Sequence, residues 1–259
     1  MNWVLAIDSA GSALSLAALA FGPDAVPRRF SLSREGAHGH DEAMGNLLEE
    51  LLIVSKCSLS QVAAIVIGEG PGSFTGLRIG FSLAKGISFA RKTPLLLLPS
   101  ALGAACNVLQ GTPDLKRVSV FASGGKNQFF LSQIESSHPD ILMGNSTLLT
   151  SEELTAAFNV AASPATFADL LGCPVSIDAA LPASFPQLAF QSAGEIAAGL
   201  LEVASRRASV INPGSLAANW KGLIASLPYE LNALSQAGPN YVREAAAKTI
   251  EQRQRDKSC

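Results

Sequence analysis

The stretch Gly68-Glu69-Gly70-Pro71-Gly72-Ser73-Phe74-Thr75-Gly76-Leu77-Arg78 decides the fold of this 259-residue chain. It follows an apolar run over residues 62–67, which is typical of a strand buried on both faces. The glycines predict a tight turn, and Ser73 is a favourable N-cap for a helix. The stretch therefore predicts a buried strand, a glycine-rich turn and a helix in direct succession.

The chain before this stretch predicts three strands and a helix. Val4-Leu5-Ala6-Ile7 indicates a buried strand, which ends in the turn Asp8-Ser9-Ala10-Gly11. Alternating residues over 14–16 and the stretch 28–32 indicate two more strands of the same meander. Apolar residues at helical spacing then predict a helix over residues 41–56.

The chain after the stretch predicts further strands and helices, with residues 110–113 as the best linker candidate. We interpret the whole as an α/β protein of two lobes of related plan, residues 1–110 and 111–259, each a mixed sheet flanked by helices. The remaining expected elements are strands near 94–99, 118–122 and 128–134, and helices near 100–109, 152–158, 167–171 and 192–206.

Composition and charge exclude several classes of protein. Hydrophobic residues make up 48% of the chain and charged residues 15%, as in an ordered globular protein. A net charge of −2 argues against a stand-alone nucleic-acid binder. The longest apolar stretch, residues 13–21, is too short to span a bilayer, and Asp8 stands where a signal peptide is basic. We therefore expect a cytoplasmic protein.

Metal and disulfide sites have weak support in the sequence. The four cysteines are widely scattered and form no C-x-x-C pair. His38 and His40 are two residues apart, whereas a metalloprotease helix needs histidines four apart. We expect no metal site and a reducing compartment.

Asp8 and Gly11 form the first candidate site. A carboxylate at the carboxyl end of a strand can lie near a magnesium-bound nucleotide, with the amides of a glycine turn near phosphate. An aspartate that caps a hairpin turn gives the same pattern and is commoner. Both interpretations stay open on the residues alone.

The glycine-rich stretch also has two interpretations. Its amides can approach an anion, but the stretch lacks the Gly-Lys-Ser/Thr ending of a P-loop. Alternatively, Gly76, Gly80, Ala84 and Ser88 recur every four residues and form a stripe on which another backbone can lie close. A glycine inside a helix costs about 1 kcal/mol relative to alanine, so we favour the packing interpretation.

Four motifs together resemble the TsaB family, in the glycoprotease-like branch of the actin and sugar-kinase ATPase superfamily. The likeness is dense over residues 4–105 and thin from 110 to 235. It implies a two-lobed actin-like, RNase H-like fold. The motifs are Ile7-Asp8-Ser9, His40, the run from Gly70 to Gly80, and Pro239-Asn240-Tyr241-Val242-Arg243. The signature loop consists of Gly70, Pro71, Gly72, Ser73, Thr75 and Arg78.

The resemblance implies a non-catalytic subunit of the machinery that makes N6-threonylcarbamoyladenosine in tRNA. It implies that the chain supports the transferase TsaD together with the ATPase TsaE, contacts tRNA only within that complex and is a homodimer when alone. It implies no firmly bound cofactor. Asp8 and Gly11 are then the vestigial remnant of a phosphate-binding site. A weak nucleotide site at a partner interface stays open. Phe121-Ala122-Ser123 stands where many members carry Asp-Ala-Arg, which removes a second carboxylate.

The partner surface is expected on the helix over 41–56 and on the helix after Ser73. The first helix has more apolar positions than one sheet-facing stripe needs, and the second has small residues that let a helix approach closely. The resemblance implies the same surface, although both helices would look alike if they served only the core. The expected interface residues are Met44, Leu47, Leu48, Leu51, Gly76, Gly80 and Ala84.

Two enzymatic alternatives stay open behind this hypothesis. An ATP-dependent phosphotransferase of the sugar-kinase type needs a second phosphate motif, and Ser123-Gly124-Gly125-Lys126 is the only candidate loop and lacks a carboxylate. A glycoprotease-like metallopeptidase needs a metal pair or an activated nucleophile, and the sequence pattern offers neither. We favour the non-catalytic subunit.

Overall fold

The computed structural model describes residues 2–22, 25–35, 40–111, 117–125, 128–138, 141–150, 153, 166–169, 191–192, 195–211, 213–227 and 229–239. Its first elements alternate strands and helices much as the sequence predicts. They are β1 (Asn2–Asp8), β2 (Ala13–Gly22), β3 (Ala25–Glu35), α1 (His40–Ser55), β4 (Val62–Gly68), α2 (Phe74–Arg91), β5 (Leu95–Leu98) and α3 (Ser100–Gly111).

The second part of the chain begins with another antiparallel meander and ends in helices. Its elements are β6 (Arg117–Gly125), β7 (Gln128–His138), β8 (Ile141–Thr150), β9 (Thr166–Asp169), β10 (Gln191–Ser192), α4 (Ile196–Ile211), α5 (Leu216–Ser226) and α6 (Leu231–Gln236).

The two sheets share one topology. The first has the order β3-β2-β1-β4-β5, with an antiparallel meander on one side and two parallel strands on the other. The second has the order β8-β7-β6-β9-β10 and repeats both the order and the directions. The expected α/β class, with two mixed sheets of related plan flanked by helices, is confirmed.

One expected helix is wrong, and another begins later than predicted. The sequence pattern predicts a helix over residues 167–171, but Thr166–Asp169 is strand β9, parallel to β6. The helix expected over 192–206 begins later, because Gln191–Ser192 is strand β10 and α4 starts at Ile196. Pairing with a neighbouring strand overrides a weak local pattern, since the neighbour supplies the backbone hydrogen bonds. The helix expected near 152–158 lies almost wholly outside the described residues.

The predicted linker starts too early. Residues 110 and 111 complete the last turn of α3, and residues 112–116 lie outside the described part of the chain. The helix continues because Val108 packs in the core and holds the last turn in place.

Alternate side chains of β1 face two different hydrophobic clusters. Leu5 and Ile7 face α1 and α2, and Val4 and Ala6 face α3 and α4. The cluster of Val4 also contains residues of β6 and β7, so α3 and α4 join the two sheets through one continuous core.

The helices of the second part pack against the first sheet. Ala197 N of α4 donates to Ser15 Oγ of β2 at 3.0 Å, and the Trp220 ring of α5 stacks on Phe21 with ring centroids 6.5 Å apart. A Cβ at Gly199 would overlap the carbonyl oxygen of Gly103, so α3 and α4 cross backbone to backbone. The division into lobes at residue 110 stays a prediction. The structure shows that α3, before that boundary, packs closely against α4, after it.

The helices say little about cellular location. Within the described ranges, none is both long and apolar enough to cross a membrane. The cytoplasmic location stays a prediction.

Candidate functional site

Asp8 is completely buried at the carboxyl end of β1. Its Oδ2 accepts a hydrogen bond from Ser100 Oγ at 2.5 Å, and its Oδ1 accepts one from Ala10 N at 3.1 Å. Ser100 Oγ in turn accepts a hydrogen bond from Gly70 N at 3.3 Å. The carboxylate therefore joins its own turn, the glycine-rich loop and the first residue of α3, which fits the turn interpretation.

Burial governs the acidity of this site. Desolvation raises the pKa of Asp8 to about 6, and the hydrogen bonds from Ser100 and Ala10 offset part of that rise. Glu69, half-buried one residue beyond β4, also has its pKa raised by burial. Among the described residues, no three His, Cys, Asp or Glu side chains converge on a possible metal position.

Gly72 and Gly76 are explained by close packing on the turn after β1. A Cβ at Gly72 would overlap the carbonyl oxygen of Ala10, and a Cβ at Gly76 would overlap that of Ser9. Ser73 N donates to Ala10 O at 2.7 Å, which holds the two segments together. The backbone that lies on the small-residue stripe thus belongs to this chain, and the packing interpretation is the one the structure bears out.

Gly70 needs its glycine for a different reason. Its φ of 98° lies in the left-handed region that residues with a side chain rarely adopt. Its peptide bond to Pro71 is cis, and both residues are buried. These two residues shape the loop between β4 and α2.

The remaining signature residues start α2. Ser73 Oγ accepts a hydrogen bond from Gly76 N at 3.1 Å, as an N-cap does. Thr75 is exposed, and the exposed Arg78 lies with its guanidinium carbon 3.9 Å from the centroid of the Phe74 ring. The signature therefore has an inner part that fixes the turn and an outer part on the surface.

The expected interface residues lie in the interior of the chain. The apolar stripe of α1 packs against the first sheet and α2, which buries the four expected residues of this helix, whereas Val54 of the same stripe stays exposed. Gly76 and Gly80 contact Ser9. The seven buried residues are Met44, Leu47, Leu48, Leu51, Gly76, Gly80 and Ala84.

Other residues of the same two helices remain exposed. Ile53 is 68% exposed and Val54 47% on α1, and Phe89 is 64% exposed on α2. The sequence could have indicated these three residues, because each is apolar at a position where an amphipathic helix usually carries a polar residue. We call the exposed positions Gly45, Asn46, Glu49, Ile53, Val54, Gly86 and Phe89 the outer face.

The outer face leaves open space above two glycines, and α1, which contributes to it, is rich in acidic residues. Among the described residues, nothing lies within 4 Å of where a Cβ would stand at Gly45 or Gly86, so packing in this part of the chain explains neither glycine. Helix α1 contains four acidic residues and no Lys or Arg. One of its acids, Glu50, pairs with Arg34 at 3.0 Å.

The second sheet shows where the missing carboxylate would stand. Phe121 and Ala122 are buried on β6, paired with Leu131 and Phe130 of β7. In the described part of this strand, apolar packing occupies the position that the resemblance assigns to the aspartate of the Asp-Ala-Arg run.

Comparison with known proteins identifies a matching protein family and several relatives of this chain. A family model described as TsaD, tRNA N6-adenosine threonylcarbamoyltransferase, matches residues 33–249. A tRNA threonylcarbamoyladenosine biosynthesis protein TsaB from Haemophilus influenzae is 28% identical over 131 residues, 51% of this chain and 53% of that protein. The TsaB of Escherichia coli is 36% identical over 106 residues, 39% of this chain and 43% of that protein.

The chain spans about half the length of these curated relatives, and their name confirms the resemblance that the motifs carry. A solved structure from Pseudomonas aeruginosa, described as an uncharacterized protein with similarity to peptidase YEAZ, aligns with a TM-score of 0.70. It is 23% identical and covers 94% of this chain and 100% of that chain, a likeness that shows the fold alone.

Proposed function

Because the chain belongs to the family described as TsaD, tRNA N6-adenosine threonylcarbamoyltransferase, and has TsaB proteins among its relatives, we propose that it acts in threonylcarbamoyladenosine biosynthesis. Its role is that of a non-catalytic subunit. It supports a TsaD-type transferase, works with a TsaE-type ATPase and contacts tRNA only within that assembly. Alone it forms a homodimer, and it needs no firmly bound cofactor.

The non-catalytic role is supported by the state of Asp8. Both of its carboxylate oxygens accept hydrogen bonds from the chain itself, and its side chain has no exposed surface. A carboxylate that holds a magnesium ion, directly or through the waters of that ion, must be reachable from the ion's position. An Asp8 committed to Ser100 and Ala10 is suited to holding the turn, which supports a structural role for this vestigial phosphate side.

The observation that carries the partner role is the exposed apolar part of the outer face. Large apolar side chains that are more than half exposed on adjacent helices are typical of association sites. Here Ile53 and Phe89 meet that description, while the buried apolar residues of each helix, such as Leu51 and Phe81, pack in the core. The partner surface therefore lies on the predicted pair of helices, but on residues other than those expected.

A binding experiment tests this role. The purified chain is titrated with the TsaD-type transferase of the same cell, and modified tRNA is measured in the reconstituted reaction. We expect Ile53→Asp together with Phe89→Asp to weaken binding at least tenfold, about 1.4 kcal/mol. Val210→Asp is the matched control, because Val210 is 52% exposed on α4, which packs on the opposite face of the first sheet from α1 and α2.

Each outcome has a defined meaning. Equal affinity of the double variant and the control would place the interface elsewhere. A transferase that is fully active without the chain would overturn the supporting role. A robust ATP hydrolysis by the isolated chain, abolished by Asp8→Asn, would favour the phosphotransferase instead.

A further inference from the structure

Both helices of the outer face are followed by a lysine with a left-handed backbone. Lys56, directly after α1, has a φ of 56°, and Lys92, directly after α2, has a φ of 52°. Glycine and asparagine adopt this conformation at a lower cost than lysine, and a backbone held in it often marks a functional position. The chain therefore places a long cationic side chain at two positions where local structure favours another residue.

The two lysines lie at the same edge of the first sheet. Helix α1 leads into β4 and α2 leads into β5, and both strands run parallel to β1, so both helices end at the edge where β1 and β4 begin. Arg91, in the last turn of α2, donates from Nη2 to Ser60 O at 2.6 Å, which fixes the end of α2 beside the connection that follows α1. We call the three exposed cations Lys56, Arg91 and Lys92 the basic end.

The segment that carries the basic end is almost free of acids. Residues 51–111 contain five Lys or Arg and a single acid, Glu69, which lies beyond the opposite end of β4. All four acids of α1 precede Leu51. Charge is thus segregated along this part of the chain, which gives a local positive potential although the net charge of the whole chain is −2. A cation at a helix C-terminus also offsets the helix dipole, an effect on stability that can be measured apart from binding.

The basic end adjoins the apolar part of the outer face. Ile53 lies in the last turn of α1 and Phe89 in the last turn of α2, and both are exposed. The connection after α1 adds the exposed Ser58 and Ser60, whose hydroxyl oxygens are 2.9 Å apart. Lysine, arginine and serine side chains are groups that proteins use to contact nucleic-acid phosphates. A ligand at the basic end therefore lies next to any partner on the outer face.

We propose that the basic end binds phosphate groups of tRNA while the outer face holds the transferase. The proposal rests on the proposed function, because it takes as ligand the tRNA that the assembly modifies. Lys56 and Lys92 follow neighbouring packed helices, whose axes lie roughly 8–10 Å apart, so both ammonium groups can reach one stretch of RNA backbone. Phosphate contacts fix the orientation of a nucleic acid and carry no sequence information. The basic end thus positions the tRNA and does not select it.

Asparagine at both lysine positions tests the contact without straining the fold. Lys56→Asn with Lys92→Asn removes two cations and suits the left-handed backbone, so the chain should stay folded. The matched control, Arg117→Gln with Lys221→Asn, removes the same charge from exposed positions elsewhere. Arg117 begins β6 in the second sheet, and Lys221 lies on α5, which packs on the opposite face of the first sheet from α1 and α2.

The salt dependence of tRNA binding is the readout that a purely structural role would not change. Binding of an unmodified tRNA to the assembly of chain and transferase is measured from about 50 to about 200 mM salt. We expect the lysine variant to bind about tenfold more weakly at low salt, with a slope of log K against log salt shallower by roughly 1.5, and the control to stay close to the wild type. Equal tRNA binding by the two variants would overturn the proposal. A lysine variant that loses affinity for the transferase instead would assign the basic end to an acidic protein surface and overturn it as well.

Crosslinking inside the source cell decides the RNA contact without a reconstituted assembly. Ultraviolet light joins RNA to the side chains it touches, and mass spectrometry maps the crosslinked peptides of the full chain. We expect crosslinks within residues 53–61 and 86–95, carrying tRNA fragments. Crosslinks confined to other parts of the chain, or none at all, would overturn the proposal. If the transferase binds no form of the chain, the proposed function fails, whereas the crosslinks still decide whether the basic end contacts RNA.

Discussion

Ser100 Oγ donates a hydrogen bond of 2.5 Å to Asp8 Oδ2, which joins residues 92 positions apart in the sequence. Asp8 ends β1, and Ser100 begins the helix that leads to the second sheet. Because Ser100 Oγ also accepts from Gly70 N, the bond ties three chain segments at one edge of the first sheet. Two of the predictions below follow from this buried junction.

The stability of the chain should depend on the protonation of Asp8. Burial raises its pKa from 3.8 to about 6, so the folded state binds a proton more tightly than the unfolded state. This contribution to stability is fully present below pH 4 and is lost as the pH rises through 6. In the wild type, this loss lowers the free energy of unfolding by about 3 kcal/mol as the pH rises from 4 through 6. Asp8→Asn should abolish this pH-dependent loss.

Urea denaturation from pH 4 to pH 8 measures this difference. Glu69 also has a raised pKa and titrates in both proteins, so the quantity to compare is the gap between wild type and Asp8→Asn at each pH. A gap that does not change with pH would contradict the prediction.

Removing the Ser100 hydroxyl should destabilise the chain. Ser100→Ala takes a donor from the fully buried Asp8 carboxylate, and an unmet buried hydrogen-bonding group costs roughly 1–3 kcal/mol. The matched control is Ser82→Ala, because Ser82 is exposed and its hydroxyl donates only to Arg78 O of the same helix. Chemical denaturation at pH 8 should separate the two variants, and equal losses would show that the buried bond has no special weight.

Two glycines of α2 should respond to alanine with opposite signs. A Cβ at Gly76 would overlap the carbonyl oxygen of Ser9, so Gly76→Ala should destabilise the chain by roughly 1–3 kcal/mol. Gly86 has open space, so Gly86→Ala should stabilise it by about 0.5–1 kcal/mol. Thermal unfolding of both variants decides this, and a stabilised Gly76→Ala would refute close packing of the turn on α2.

A substitution inside the small-residue stripe, such as Gly80→Arg, would be a poor test of a partner surface, because the stripe packs against the turn at Ser9. A Cβ at Gly80 already overlaps Ser9 Oγ, so a bulky side chain there disturbs the turn of the chain itself. Exposed positions such as Ile53 and Phe89 test an interface without that disturbance.

The contact between α3 and α4 should be sensitive to a single methyl group. Gly199→Ala places a Cβ against the backbone of Gly103, and we expect a loss of roughly 1–3 kcal/mol. Gly45→Ala on α1 is the control with open space and should not destabilise. Hydrogen exchange should show faster opening of α3 and α4 in the first variant, and an unchanged pattern would mean that the helices repack at no cost.

The sequence alone determined those features that depend on neighbours along the chain. The apolar runs of β1 and β4 specify buried strands, and Ser73 specifies the start of α2, because periodicity and capping act over a few residues. Gly76 and Gly80 in α2 also indicated close packing correctly. Fold class and the paired plan of the two sheets followed from these local signals.

Only the tertiary structure decided what each surface faces. A small-residue stripe has the same pattern whether a partner helix or the turn at Ser9 lies on it, and the structure shows the turn. The width of the α1 stripe could not reveal that the sheet and α2 cover Met44 and Leu51 and leave Ile53 exposed. Strand β9 arose where helix was expected for the same reason: burial and backbone pairing are set by residues distant in the sequence, which local periodicity does not record.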